Sequence, residues 1–407
     1  MSETNGITKR KRNILERILL LTPISDGTVE EALLIWLTVS VWLHYVVSGA
    51  MMVLLLAAVL IIPEIRKKTL REKKMFFLGV IIAGFSLLSS CIAKNLIGMA
   101  ISFGIFLIIT LGAFAKSVMT EIRFQKISVI SCVGSVVYVF VALYQNFIKY
   151  GDNPLYRPTA GAFNANYYGA LIVMTLIICI YNVLDVKKPV EKRTWYYPYK
   201  LIFIAVFLLN CVALLVCESR SALLAFLVCT VFYLFITRRY LLFAVAVSLA
   251  VGVGAIGWFY PEVMSWTNSL AASITERSTI WKEALKSFSQ NPYTALFGRG
   301  PMTYYHVMEK EGLFVANHAH NIIVDTLINV GIIGTAAYSL LIAYFVKEIF
   351  GARGKGNKAA FAVGFVFLVE IFAQGIADVT VMWHQSALLF VMMFAVVGSE
   401  TDRKNDL

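Results

Sequence analysis

The residues able to do chemistry sit in a few short polar stretches between long apolar runs. Cys217-Glu218-Ser219-Arg220-Ser221 joins two hydrophobic segments with almost no loop. An ionisable pair at such a boundary is costly unless it is solvated, paired or working. It reads either as a hairpin turn whose Arg220 snorkels to headgroups and pairs with Glu218, or as a guanidinium held at a mouth. In the second case its fork of donors suits phosphate oxygens. Further on, Ile280, Trp281, Ala284, Leu285 and Phe288 trace one helical face after Arg277, with Lys282, Glu283 and Lys286 opposite. This predicts an amphipathic helix on the membrane surface or capping a bundle, ended by Asn291-Pro292. Arg277 falls at its N-terminal end, where free amides also favour an anion. Phe297-Gly298-Arg299-Gly300-Pro301 is a glycine-hinged turn, and its GxG spacing is too common to claim a nucleotide. Finally, His318-Ala319-His320-Asn321 leads into an apolar segment, with Asn321 and Asp325 at i, i+4 on one helical face. A histidine near neutral pKa suits a general base. An HxH pair also invites a metal, but no third ligand stands at suggestive spacing, so none is expected. Two arginines and a histidine fit the breaking of a phosphate ester: the cations neutralise a pyrophosphate leaving group and the imidazole deprotonates an attacking hydroxyl.

What positions these groups follows from composition. Of 407 residues, 59% are apolar and 15% charged, against about 25% charged in a soluble domain. With a mean hydropathy of +0.75, the excess must face lipid. A crossing helix needs about 20 apolar residues. Twelve segments qualify: 31–47, 49–64, 75–93, 96–115, 127–149, 166–185, 200–217, 219–237, 240–259, 321–346, 358–377 and 381–398. The first two are short and meet at Ser48-Gly49. Runs this long exclude barrel strands.

Placing the N-terminus in the cytoplasm collects 27 of the 36 lysines and arginines on that side, and the even span number returns the C-terminus to it. The net charge of +12 is therefore an orientation signal, and no nucleic-acid partner is expected. This topology leaves two long outer connections. One is 150–165, with Arg157 and the run Gly161-Ala162-Phe163-Asn164-Ala165-Asn166. The other is Tyr260 to His320, which holds three of the five histidines. The polar stretches above all face that outer side. The domain reading is a cytoplasmic segment at 1–30, one bundle at 31–398 containing the 260–320 loop, and a cytoplasmic tail at 399–407. Ile18 to Leu21 is too short an apolar run for a cleavable signal, and Pro23 and Asp26 follow it. The six cysteines lie in or beside apolar runs without CxxC spacing and read as packing residues. Near mid-span, Glu370 with Gln374 at i, i+4 reads as an interhelical hydrogen bond or, with Asp378 farther out, as a transport pathway.

In order along the chain, Ser219-Arg220-Ser221-Ala222-Leu223-Leu224, Arg277…Trp281, Phe297-Gly298-Arg299-Gly300, His320-Asn321 and Val330-Gly331-Ile332-Ile333-Gly334 resemble the O-antigen ligase and Wzy-type polysaccharide polymerase superfamily. The run from Arg157 to Asn166 is similar to that family's upstream external segment, with Ala165 where proline is common. The resemblance is specific over 157–334 and weak over the first 150 residues. It implies an all-α polytopic membrane protein of about 12 transmembrane helices. The bundle would be of GT-C type, with a large external loop before the tenth span. It implies a metal-independent, inverting glycosyltransferase without cofactor, drawing on an undecaprenyl-pyrophosphate-linked oligosaccharide at the outer face of the cytoplasmic membrane. Carried over, Arg220 and Arg277 bind the donor pyrophosphate and His320 is the base. His318, Asn321, Arg157 and Arg299 support them, although the pattern is often not basic at Arg299. The acceptor is a lipid-linked repeat unit in a polymerase of surface polysaccharide such as capsule, or a different acceptor glycan in a ligase. The lysine-rich composition tilts the reading toward polymerase. A lipid-linked oligosaccharide flippase is the alternative of another class.

Overall fold

The computed structural model describes residues 28–153, 156–186, 196–259, 265–304 and 318–398. The expected N-terminal segment up to Gly27, the tail and the middle of the outer loop lie outside them. Among the described residues every regular element is helical. In chain order these are α1 Val29–Val41, α2 Tyr45–Ile61, α3 Pro63–Thr69, α4 Lys73–Ile92, α5 Leu96–Val118 and α6 Glu121–Tyr144, followed by α7 Ala165–Leu184, α8 Tyr196–Val216, α9 Arg220–Ile236 and α10 Tyr240–Phe259. After these come α11 Ser265–Ser289, α12 Pro292–Phe297, α13 Ile322–Gly354, α14 Lys358–Gly375 and α15 His384–Phe394. Each expected apolar segment overlaps a helix, although 31–47 and 49–64 run across helix breaks. Among the described residues seven helices are long and apolar enough to cross a bilayer, or eight if α2 and α3, bent by 97° at Pro63, count as one broken span. The stretches Arg220–Ile236, Tyr240–Gly252 and His384–Val397 are shorter apolar helices. The chain is thus an all-α multi-pass membrane protein.

The first break is not where the sequence placed it. Ser48 and Gly49 lie inside α2, and the chain turns at Trp42–His44 instead. This turn lets the Tyr45 amide donate to the Gly161 carbonyl at 2.9 Å, a pairing between distant segments that local periodicity cannot show. α7 is the most buried of the candidate spans and packs against α6, α8, α9, α14 and α15.

At one end of the bundle, cations meet carboxylates. Lys68 pairs with Glu30 at 2.6 Å and Lys126 with Glu31 at 2.5 Å. Buried Lys116 reaches Glu348 at 2.5 Å, Glu72 at 3.3 Å and the Tyr344 hydroxyl at 2.6 Å. Arg239 lies 3.6 Å from Asp185. In mid-bundle the hydrogen bond expected for Glu370 is absent: the side chain is fully buried, and neither oxygen has a partner among the described residues.

The opposite end is shaped by a broken helix. α13 runs 33 residues, about 50 Å at the helical rise, well beyond the roughly 30 Å hydrocarbon core. It breaks at Gly331 (φ 66°, ψ −173°), a conformation open essentially to glycine alone. A break leaves carbonyls without helical partners, which an apolar setting penalises. The glycine-hinged turn supplies them: Arg299 N–H donates to Ile328 O at 3.0 Å and Gly300 N–H to Asn329 O at 2.7 Å. A Cβ on Gly298 or Gly331 would meet the other segment's backbone at 2.5 Å or less. Two motifs about 30 residues apart in sequence are therefore one interlocked structure.

Candidate active site

The amphipathic helix α11 positions the histidines. Ile280 and Ala284 are buried with Tyr304, Ala319 and Ile328, and Trp281 packs on this cluster. The Trp281 indole N–H donates to Ala319 O at 2.9 Å, pinning the loop between the two histidines. Asn321 caps α13, accepting from the Ile323 and Val324 amides at 3.0 and 3.1 Å, and Asp325 accepts from Ala319 N–H at 3.0 Å. Asp325 also accepts from the Asn329 amide at 2.7 Å. The buried face of α11 differs from its expected one: Ser287 is buried and Leu285 is 44% exposed. The side facing α13 follows 280, 284 and 287, one turn apart each time, which leaves Leu285 on the flank.

These constraints deliver His318 and His320 to one buried carboxylate, Asp378, between α14 and α15. His318 Nε2 is 3.2 Å from Asp378 Oδ1, and His318 Nδ1 accepts the His320 amide at 3.2 Å. That pair of contacts fixes the neutral tautomer with the proton on Nε2. His320 Nδ1 lies 3.6 Å from the same oxygen, too long for a hydrogen bond, and Nδ1 itself is buried. The His320 side chain keeps 28% exposure, so its accessible edge is the one away from Asp378. Burial holds His318 below its ordinary value against the pull of Asp378. Burial alone would raise the Asp378 carboxyl, but the His320 and His318 rings and the Val379 amide, 2.7 Å away, hold it down at about 2.

Asn166 gathers the remaining groups. Its Nδ2 donates to Asp378 Oδ2, while its Oδ1 accepts from Arg157 Nη2 at 2.9 Å and from Ser219 Oγ at 3.0 Å. Gln374 donates to the Asn166 carbonyl at 3.1 Å from below. Arg157 also donates to Cys217 O at 3.2 Å. Burial, and to a lesser degree nearby Arg220, lower the Arg157 guanidinium from its ordinary value, which still leaves it charged at neutral pH. Arg220 opens α9 immediately after Ser219 and is half-buried. Arg277 donates to Ala377 O at 3.1 Å, beside Asp378, and to Ser273 Oγ.

The expected residues therefore divide. Arg157, Arg220, Arg277, His318 and His320 converge, and Asn321 serves as a helix cap. Arg299 does not join them: its guanidinium reaches Ser287 O and Gln290 Oε1, both at 3.4 Å, near the C-terminal end of α11, where a cation suits the helix dipole. Arg277 is not at a helix N-terminus, because α11 starts at Ser265 and places it mid-helix. Two residues carry a role in the site that their sequence context does not show. Asn166 was visible only as the end of a run, and Asp378 only as an acid near a span's outer end. Asp378 also supplies the third ligand that the HxH pair lacked in sequence, since its oxygen and the two ring nitrogens lie within 4.8 Å of one another.

Comparison with known proteins bears on the same stretch. The family model described as O-antigen ligase matches residues 203–339, which contain Arg220, Arg277, the glycine-hinged turn, both histidines and Gly331. No curated protein matches the chain. Over residues 203–339 the chain is thus similar to the O-antigen ligase family, which supports a membrane glycan-processing enzyme of the ligase or polymerase kind.

Proposed function

We propose that this protein transfers a glycan from an undecaprenyl-pyrophosphate-linked donor to an acceptor hydroxyl at the outer face of the cytoplasmic membrane, as a polymerase of surface polysaccharide repeat units. The observation carrying this reading is a partly exposed His320 with Asp378 behind one ring nitrogen and Arg277 hydrogen-bonded to the carbonyl next to that acid. His320 Nδ1 is buried on the Asp378 side, 3.6 Å from the carboxylate, which leaves Nε2 on the accessible edge to take a proton. The acceptor oxygen attacks the anomeric carbon of the donor. The bond from that carbon to the pyrophosphate oxygen breaks, the acceptor proton passes to His320 Nε2, and the electron pair leaves with the polyprenyl pyrophosphate. Attack opposite the leaving group inverts the anomeric centre.

Arg277, Arg220 and Arg157 stabilise the departing pyrophosphate. Arg157 and Arg277 hydrogen-bond to carbonyl, amide and hydroxyl groups, which fix their direction without neutralising them. His318, kept neutral by burial, relays no charge and positions the Asp378 carboxylate. A neighbourhood this rich in guanidinium groups disfavours a divalent cation, so the His318–His320–Asp378 triad is read as a base with its orienting groups. Cytoplasmic termini follow from the lysine and arginine bias, which puts the histidine end outside. The experiment is His320→Ala in the producing strain, with the surface glycan resolved on a gel. Long-chain product should vanish, with a rate loss of about 10³-fold for the purified enzyme. Normal chain lengths would remove His320 from the mechanism. Extension of lipid-linked repeats by purified protein without any ion gradient separates this reading from a flippase.

A further inference from the structure

Beside the histidines lies a group of aromatic rings that the transfer reaction, as described, leaves unused. The Tyr167 and Trp383 rings are parallel to within 4°, with centroids 5.2 Å apart. Phe163 lies 4.7 Å from Trp383 at 33°, and Tyr45 stands edge-on to Phe163 at 5.5 Å. Tyr167 is 6.5 Å from the His318 ring. Four chain segments contribute one ring each: the first residue of α2, the connection before α7, the first turn of α7 and the residue preceding α15.

The group is both open and braced. Phe163 is 45% exposed, and Tyr45 and Trp383 are half-buried. The Trp383 indole N–H donates to Gln385 Oε1 at 3.3 Å, and Gln385 Nε2 donates to Val41 O and Leu43 O at 2.9 and 2.8 Å. His384 Nε2 lies 3.0 Å from Tyr45 O. Rings held this way have little freedom left to lose when something stacks on them. Aromatic residues that merely anchor a protein in headgroups form a belt around its perimeter. These instead converge from four segments onto one spot, continuous with the candidate base.

The chemistry of the occupant follows. An aromatic face carries partial negative charge, and its complement is a flat apolar surface edged with positive hydrogens. The C–H face of a pyranose ring is such a surface, while its hydroxyls point outward to polar neighbours. We infer that Phe163, Trp383 and Tyr45 form the acceptor subsite, a shelf on which a sugar ring of the acceptor glycan stacks so that its hydroxyl meets His320. This deepens the glycosyl-transfer reading and rests on it.

The test uses full-length protein in phosphatidylglycerol nanodiscs and, as probe, oligosaccharides released by mild acid from the producing strain's own surface polysaccharide. Saturating the aromatic protons should transfer magnetisation to sugar ring C–H protons. The signal should persist in His320→Ala and in Trp383→Phe, and be lost in the double variant Phe163→Ala, Trp383→Ala. In the transfer assay Phe163→Ala should raise the acceptor KM roughly tenfold, the scale of one lost stacking partner, with donor KM and kcat nearly unchanged. Phe163 is exposed enough that folding is preserved, and an unchanged melting temperature checks this. Unchanged acceptor KM in Phe163→Ala, or no saturation transfer to any saccharide in the unsubstituted protein, overturns the shelf. So does quenching of Trp383 fluorescence by brominated phosphatidylglycerol but not by glycan, which would make the rings a lipid anchor. Sugar contact without any effect of His320→Ala on product would instead sink the transfer mechanism and leave the shelf standing.

Discussion

The two ends of the bundle treat positive charge in opposite ways. At one end each cation described above lies within ion-pair range of a carboxylate: Lys68 with Glu30, Lys126 with Glu31, Lys116 with Glu72 and Glu348, and Arg239 with Asp185. At the other, Arg157 and Arg277 are held by backbone carbonyls, an amide and a hydroxyl, while the acid among them, Asp378, is engaged by Asn166 and two histidines. A carboxylate partner cancels a charge locally, whereas a carbonyl aims it and leaves it available. The first arrangement holds helices together, and the second prepares a place for an anion.

The sharpest way to break this contrast is to remove one cation from each end. Arg277→Ala should cut the rate of glycan transfer about 10²-fold, the scale of losing one charge stabiliser at a leaving group, with Arg277→Lys intermediate because the charge survives and the fork does not. Steady-state kinetics on lipid-linked repeats checks this, and a normal rate in Arg277→Ala would dissolve the distinction. Lys116→Met should do the reverse. It strands Glu72 and Glu348 without their cation and should cost about 3 kcal/mol, read as a lowered melting temperature, while the rate per folded molecule holds.

Acidity gives a smaller effect. His318 lies below its ordinary value in the fold, so its contribution to stability is complete above about pH 6.5 and is lost as the pH falls below that toward the folded value. Asp378, held at about 2, contributes above its ordinary value of 3.8 and fails only as the pH approaches 2. Between pH 7 and 5 His318 therefore contributes a fall in melting temperature, read as the difference in slope between the unsubstituted protein and His318→Gln. His318→Gln should flatten the dependence, and an equal slope in that variant would reassign it. The smallest expected effect is none: dialysis against EDTA should leave transfer intact, and a loss restored by added zinc or magnesium would turn the His318–His320–Asp378 triad into a metal centre.

Much of this was legible in the chain because it is local. Apolar length found a helix under each of twelve segments, with the first break misplaced, and the residue order from Arg220 to Gly334 resembles the family whose model matches 203–339. What escaped depends on contacts between distant segments. Asp378 reads as a transport acid until α14 and α13 bring it under both histidines. Asn166 shows nothing in isolation, yet three groups of the site bond to it. Leu285 fits the helical period but faces away, because the surface that α11 covers is decided by α13. The turn at Trp42–His44 answers to Gly161, more than a hundred residues later.

The seam between Gly298 and Gly331 bears on how such a protein can be cut and recombined. The turn's amides complete a helix that enters the membrane, so the boundary between external loop and span is not a joint. A chimera exchanging only the external segment would carry amides spaced for a different break. The smallest transplantable cassette runs from Asn291 through Gly334, loop and broken helix together, and substrate preference should travel only with grafts that keep it whole.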